Sequence, residues 1–240
     1  MEEISGWLTE HEGIFLEKAT ASLRKTQGAI VEIGSYLGKS TVHLARGREI
    51  VYAIDPHKGI FSGGSTGSTK KQFLVNLDSA GVKAFVKPII KTSKEASKAW
   101  TKPIKFVFID GLHDKNHALE DFHLWSPYLV SGGIVAMHDS FCGWEGAGAV
   151  AMRHIVYGDE FGEIGVVGSI IYGVKKNIGL FGWIQKEFRQ CIIELCQSIY
   201  RSPYISKRVQ FILVHKLLRV FLINRFSVIG RPSGKNAIWQ

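Results

Sequence analysis

Four acids and two histidines stand in or just after the ends of short apolar runs: Glu32, Asp55, Asp110, His113, His138 and Asp139. A carboxylate so placed can accept hydrogen bonds from sugar hydroxyls or ligate a cation, and an imidazole with an ordinary pKa of ~6.5 can take and return a proton at neutrality. The first acid lies in the densest of these stretches, residues 29–41, where Gly34, Ser35, Gly38, Ser40 and Thr41 follow it closely. Glycines let the backbone approach a ligand, and the free N–H groups at a helix start would face it. Spacing argues against two phosphate motifs. A P-loop needs four residues between its first glycine and Gly-Lys-Ser/Thr, and here only three separate Gly34 from Gly38-Lys39-Ser40. A dinucleotide fingerprint needs glycines where Tyr36 and Lys39 stand. Asp55 follows Gly34 by 21 residues, close to the ~20 at which an acid accepts from a ribose diol.

The elements that must position these residues are legible as alternating patterns. Residues 29–33, 50–54, 85–90, 105–109 and 134–137 are apolar runs too short for helices, and read as buried parallel strands. Residues 6–23, 39–46, 70–77 and 118–129 have helical spacing, although Gly13 interrupts the first. A helix is also expected after residues 92–96, with Ser93 as a candidate N-cap. Residues 164–170 and 171–174, punctuated by Gly168 and Gly173, suggest a closing antiparallel pair. Alternation of this kind predicts an α/β fold with a mostly parallel, seven-stranded, Rossmann-like sheet and helices on both faces. Ligands then bind at the carboxyl ends of the strands, where the acids and histidines converge.

With the fifth strand in place, the run Phe-Ile-Asp-Gly-Leu-His at 108–113, then Asp121, Trp125, Pro127, Gly132-Gly133 and His138-Asp139, resembles class I S-adenosylmethionine-dependent methyltransferases. The likeness is to the subgroup labelled methyltransferase family 24, and to catechol-type and macrolide-sugar O-methyltransferases, and covers roughly residues 5–175. It implies S-adenosylmethionine as cofactor, with Glu32 toward the methionine ammonium, Gly34, Ser35, Gly38, Ser40 and Thr41 along the turn, and Asp55 on the ribose. Ser93 would lie by the adenine, and Asp110 and His113 would also contact the cofactor. The segment 6–13 would close over it. Some relatives hold Mg²⁺ through positions matching Asp110, Asp139 and Ser140. Ser140 stands where the catechol-type pattern has Asn, and His138 suits softer metals. The resemblance therefore leaves two readings: a divalent metal, Mg²⁺ or another, at Asp110, Asp139 and His138, or metal-free proton transfer by His138 or His113, with Asp139 in the catalytic set.

Composition adds a boundary. The net charge is +9, and residues 176–240 hold 11 Lys+Arg against 2 Asp+Glu, so the imbalance belongs to the tail. Residues 1–175 are expected to be the methyltransferase domain and 176–240 a basic, amphipathic helical extension, with helices at 183–200 and 206–226. No apolar stretch there reaches the ~18 residues of a membrane span. Contact with an anionic membrane surface and a homo-oligomer stay open, and nucleic acid ranks lowest because no binding motif accompanies the charge. The acidic start and three cysteines without zinc spacing fit a cytoplasmic setting, including the inner membrane surface. The expected activity is O-methylation of a small-molecule or glycan acceptor. The alternative is a non-catalytic cofactor-binding or regulatory protein acting through its tail, and an ATPase is a distant third.

Overall fold

Each apolar run pairs with a neighbour that hides its other edge, and the pairing fixes where the acids end up. The computed structural model describes residues 4–61, 64–65, 67–141, 145–176 and 180–221. In chain order the strands are β1 (Ala29–Ile33), β2 (Val51–Ile54), β3 (Ile60–Phe61), β4 (Gly64–Ser65), β5 (Val86–Ile89), β6 (Ile104–Ile109), β7 (Leu129–Met137), β8 (Phe161–Val167) and β9 (Ile170–Lys175). The helices are α1 (Glu10–Ser22), α2 (Lys39–Ala45), α3 (Lys70–Ser79), α4 (Ser93–Ser97), α5 (Lys115–Trp125), α6 (Glu145–Ala151), α7 (Leu180–Arg201) and α8 (Lys207–Phe221). Seven strands form one sheet in the order β5-β2-β1-β6-β7-β9-β8, and β3 and β4 pair separately. The first five strands of the sheet run parallel; β9 is antiparallel to both β7 and β8. Strand order reverses between β1 and β6, so the ligand crevice expected at a switch point opens at their carboxyl ends.

Side chains alternate across the sheet with period two. Phe106 and Phe108 of β6 join the core under α1 and α3 with Phe15 and Phe73, while Val107 and Ile109 join the core under α5 with Phe122 and Trp125. All six β6 positions are buried, Lys105 with its ammonium paired to Glu49, and residues 106–109 accordingly read as a continuous apolar run.

Several boundaries differ from expectation, among them the start of α1 at Glu10 and of α5 at Lys115. Helix α5 stops at Trp125 and a 3-10 turn covers Ser126–Tyr128, because Pro127 cannot donate to a continuing helix. Strand β7 begins at Leu129 and contains Gly132, whose φ of +79° accompanies a register shift against β6. Gly173 is no punctuation: it lies inside β9, where a Cβ would come within 2.7 Å of Ile155. Gly13 lies inside α1 because a Cβ there would meet the His43 ring of α2 at 2.5 Å.

Helix α7 buries Ile192, Ile193 and Cys196 in the core that holds Phe161 and Ile164. Its Arg189 donates to the Ile164 carbonyl at 2.8 Å, Gln190 to that of Val156 at 2.7 Å, and Lys186 to that of Gly158. The division at 175/176 therefore rests on charge distribution, as a proposal, with contacts running across it. Ser62, Gly63, Thr66, Cys142 and residues 222–226 lie outside the described residues, and with them parts of the segments after β3 and β7 and the end of the last expected helix.

Candidate active site

The glycine turn is built by close backbone approach. Gly34 has φ +86°, and a Cβ there would lie 2.1 Å from the Asp110 carbonyl oxygen. Its N–H donates to Ile54 O at 2.9 Å, and the Asp110 N–H donates to Ile33 O at 2.8 Å, so the tips of β1, β2 and β6 are laced together. Gly38, with φ +88°, is the residue before α2. The Asp55 carboxylate accepts from the Tyr36 N–H at 2.8 Å and the His57 N–H at 2.6 Å, tying the turn to the end of β2. It stays partly exposed, with lone pairs left for a ligand hydroxyl. Ser35 Oγ is buried and has no hydrogen-bond partner among the described residues, as a group awaiting a ligand would be.

Glu32 behaves differently from its expected role. It is fully buried and accepts from Ser40 Oγ and Thr41 Oγ1, each at 2.5 Å. Burial, assisted by Asp110 and Asp55 and only partly offset by the two hydroxyls, pushes its pKa up to about 8. Glu32, Ser40 and Thr41 thus fasten the first turn of α2 beneath the crevice. Ser93 also has protein partners: its hydroxyl accepts from Trp125 Nε1 at 2.8 Å and bonds to the Asp121 carboxyl. The helix cap is Thr92, in a capping box with Glu95.

The second part of the site lies at the ends of β6 and β7. Atoms of Asp110, His113 and Asp139 come within 4.8 Å of one another, close enough to share one cation. His113 Nε2 is 3.5 Å from Asp139 Oδ2 and 4.0 Å from Asp110 Oδ1. Asp139 has φ +49°, a left-handed backbone that Asp tolerates better than most residues. His113 thus joins the two acids, while His138 Nδ1 also lies 2.9 Å from Asp110 Oδ1 and 3.5 Å from Asp139 Oδ2, so the expected set of Asp110, Asp139 and His138 stands as a proposal beside Asp110, His113 and Asp139.

His138 is enclosed. It is 3 % exposed, with Nδ1 at 2.9 Å from Asp110 Oδ1 and Nε2 at 3.5 Å from Glu12 Oε2. Burial alone would lower its pKa, but Asp110 and Glu12 outweigh that and hold it well above the usual value. An enclosed imidazole is less accessible to an acceptor than His113, which leaves His113 and Asp139 the more open members of the expected catalytic set. Ser140 is also occupied: its hydroxyl donates to Met137 O at 2.7 Å and accepts from the Ile171 N–H at 2.9 Å. It holds the β7–β9 pair together at the position where a metal ligand was considered.

Glu12 is the functional residue that sequence reasoning missed. Its Thr9-x-x-Glu12 spacing reads as a capping box, and the box is present. The same carboxylate also accepts from Ser169 N–H at 2.7 Å and Ser169 Oγ at 2.9 Å. Ser169 Oγ in turn accepts from the Asp139 N–H at 3.2 Å. Burial would raise the Glu12 pKa, but His138 and these donors bring it down to about 2. Helix α1 is thereby pinned over the ends of β7 and β9. Just before it, Lys39 Nζ donates to Gly6 O at 3.2 Å and the Trp7 and Tyr36 rings stand 5.5 Å apart, so the 6–13 segment does reach the glycine turn.

A sheet of this order, with a glycine turn after its first parallel strand, an acid within that strand and acids after the second, fourth and fifth, has counterparts among known proteins. Residues 31–140 match the Methyltransf_24 family, a methyltransferase domain. The sheet order is that of the Rossmann-like methyltransferase fold, and the family match lies across its first five parallel strands. Similar solved structures include cofactor-bound Rv0187 from MTB, at 18 % identity over 74 % of this chain and 85 % of that one, with a TM-score of 0.55. The O-methyltransferase TomG from Streptomyces achromogenes, in complex with SAM, is 17 % identical over 73 % and 84 %, with a TM-score of 0.53. CalS11, a TDP-rhamnose 3'-O-methyltransferase of calicheamicin biosynthesis, is 15 % identical over 70 % and 81 %, with a TM-score of 0.50. The matched region spans the glycine turn, Asp55 and the ends of β6 and β7, so it contains both halves of the site.

Proposed function

We propose that this methyltransferase uses S-adenosylmethionine to methylate a hydroxyl of a small-molecule or glycan acceptor, aided by a divalent cation, in the cytoplasm. The observation carrying the reading is the Asp110–His113–Asp139 cluster placed beside the glycine turn, one candidate acceptor site next to one candidate donor site. TomG with its SAM and CalS11 with its sugar acceptor support the donor and the acceptor class. No described helix is long and apolar enough to cross a membrane.

The residues fit the donor at identifiable atoms. Gly34 and Gly38 leave the turn open to close approach, Ser35 Oγ is an unpaired buried hydroxyl, and Asp55 can still accept from a ribose diol. S-adenosylmethionine supplies a methyl group on a positively charged sulfur, so the protein's task is alignment and the fate of one proton. Asp110, Asp139 and His113 offer two carboxylates and one imidazole, a mixed set suited to Mg²⁺, Mn²⁺ or a softer ion. A cation bound there supplies Lewis acidity, lowering the pKa of an acceptor hydroxyl. Without it, His113 is the imidazole placed to take the proton, standing beside Asp139 at the strand ends. Glu12 and His138 keep Asp110 fixed in either case.

The reading is tested by release of S-adenosylhomocysteine from S-adenosylmethionine across a panel of sugar and catechol hydroxyls. Turnover is expected with at least one acceptor. EDTA and Asp139→Asn should each lower it by roughly a hundredfold or more, with Mg²⁺ or Mn²⁺ restoring the EDTA-treated enzyme. Turnover indifferent to EDTA would remove the cation from the scheme. Cofactor binding with no turnover on any acceptor would favour the regulatory alternative.

A further inference from the structure

Eight of the thirteen large apolar side chains that are exposed among the described residues lie in α7, α8 and the turn between them. Nothing in the catalytic scheme uses them. On α8 the two sides are distinct. Gln210 and Val214 are buried and Leu217 is half-buried, spacings that mark the side turned toward the protein. Arg208, Val209, Ile212, Leu213 and Lys216 are exposed, and their spacing puts them together on the opposite side. Lys207, also exposed, lies over the Tyr200 ring at 5.0 Å, its stem spread along the end of α7.

An exposed helical face that mixes aliphatic side chains with Lys and Arg, and holds no acid, needs a partner that is apolar just below an anionic surface. We propose that the outer face of α8 binds the surface of an anionic phospholipid bilayer. Val209, Ile212 and Leu213 would enter the acyl boundary, while Arg208 and Lys216 pair with headgroup phosphates. Charge decides this occupant over a second copy of the chain. A two-fold contact through this face would bring Arg208 and Lys216 against their own copies, at a repulsive cost. The charge continues past α8, where Arg225, Arg231 and Lys235 follow with no acid. Because α7 is seated on β8 through Arg189 and its buried isoleucines, and α8 packs on α7, membrane contact would hold the whole enzyme at the surface.

The test is flotation of the full chain with vesicles of phosphatidylcholine alone or with 30 mol % phosphatidylglycerol, a composition of about a third anionic lipid chosen for a clear surface potential. Wild type should float with the anionic vesicles, and weakly or not at all with the neutral ones. At roughly fivefold per basic residue, Arg208→Gln with Lys216→Gln should weaken partitioning about twenty-fivefold. Ile212→Ser with Leu213→Ser should weaken it at unchanged charge, and thermal melts of both variants matching wild type would show that they fold. Failure of wild type to float with anionic vesicles, or equal flotation with both kinds, would overturn the proposal. So would a dimer in light scattering that Ile212→Ser with Leu213→Ser dissociates, since the face would then be covered by a copy. None of these outcomes depends on methyl transfer.

Discussion

Replacing Glu12 by Ala should cost about 3–5 kcal/mol of stability, the range for removing one partner of a buried ion pair. The loss leaves His138 charged and enclosed with only one flank of negative charge, and strips Ser169 of the acceptor for both its N–H and its hydroxyl. For a domain of this size the melting temperature should fall by roughly 6–20 °C. Glu12→Gln, which keeps an acceptor oxygen for Ser169, should lose less. The pH dependence has a definite sign. Glu12 titrates at about 2 in the fold against an ordinary value of 4.5, so its contribution is present above 4.5 and is lost as pH falls toward 2. His138 is raised, so its contribution is present below its ordinary 6.5 and is lost as pH rises through its elevated folded value. Wild type should therefore lose stability in acid more steeply than Glu12→Gln, which lacks the first term. Melting curves across pH 3–7 check this (a window of about that width brackets the ordinary carboxylate range), and parallel acid limbs in the two proteins would contradict it.

Gly34→Ala should be as damaging, for a backbone reason. A left-handed φ costs a residue with a Cβ about 1–2 kcal/mol. Gly81 supplies the control, with φ +68° and nothing within 4 Å of a built Cβ. Gly34 has the same φ penalty plus a Cβ 2.1 Å from the Asp110 carbonyl, which belongs to backbone and cannot rotate away. The tips of β1 and β6 would have to part, opening the Gly34–Ile54 and Asp110–Ile33 hydrogen bonds. Gly81→Ala should lose about 1–2 kcal/mol and bind S-adenosylhomocysteine as wild type does. Gly34→Ala should lose several kcal/mol and at least about a hundredfold in affinity, because the turn itself is displaced. Denaturant melts and calorimetry on the pair separate the two contributions, and equal losses would show that the contact with Asp110 yields easily.

The strand alternation was legible in the sequence because buried parallel strands leave short, continuous apolar runs, and the acids after them were legible because each stands at an interruption. Which of the two imidazoles beside the acids stays open to the crevice was not. His113 and His138 each follow a strand by a few residues, and only the backbone turn at Asp139 and the packing of α1 decide that one faces the crevice and the other is enclosed. Glu12 was hidden for a related reason: its capping box explains it locally, while its second partner, Ser169, is 157 residues away. Ser140 could not be judged from residue type, since a hydroxyl serves a cation or a backbone equally well, and here Met137 and Ile171 have taken it. Gly13 and Gly173 looked like breaks because sequence alone cannot distinguish a glycine needed for a turn from one needed for close packing.

The measurement that tests the central claim most directly is calorimetric titration of S-adenosylhomocysteine into wild type and Asp55→Ala. Wild type should bind one equivalent, and Asp55→Ala should bind at least about a hundredfold more weakly, having lost the ribose acceptor and the tie between Tyr36 and His57. Absence of wild-type binding, or equal binding by the two proteins, would contradict the assignment of the crevice at Gly34 and Asp55 as the donor site.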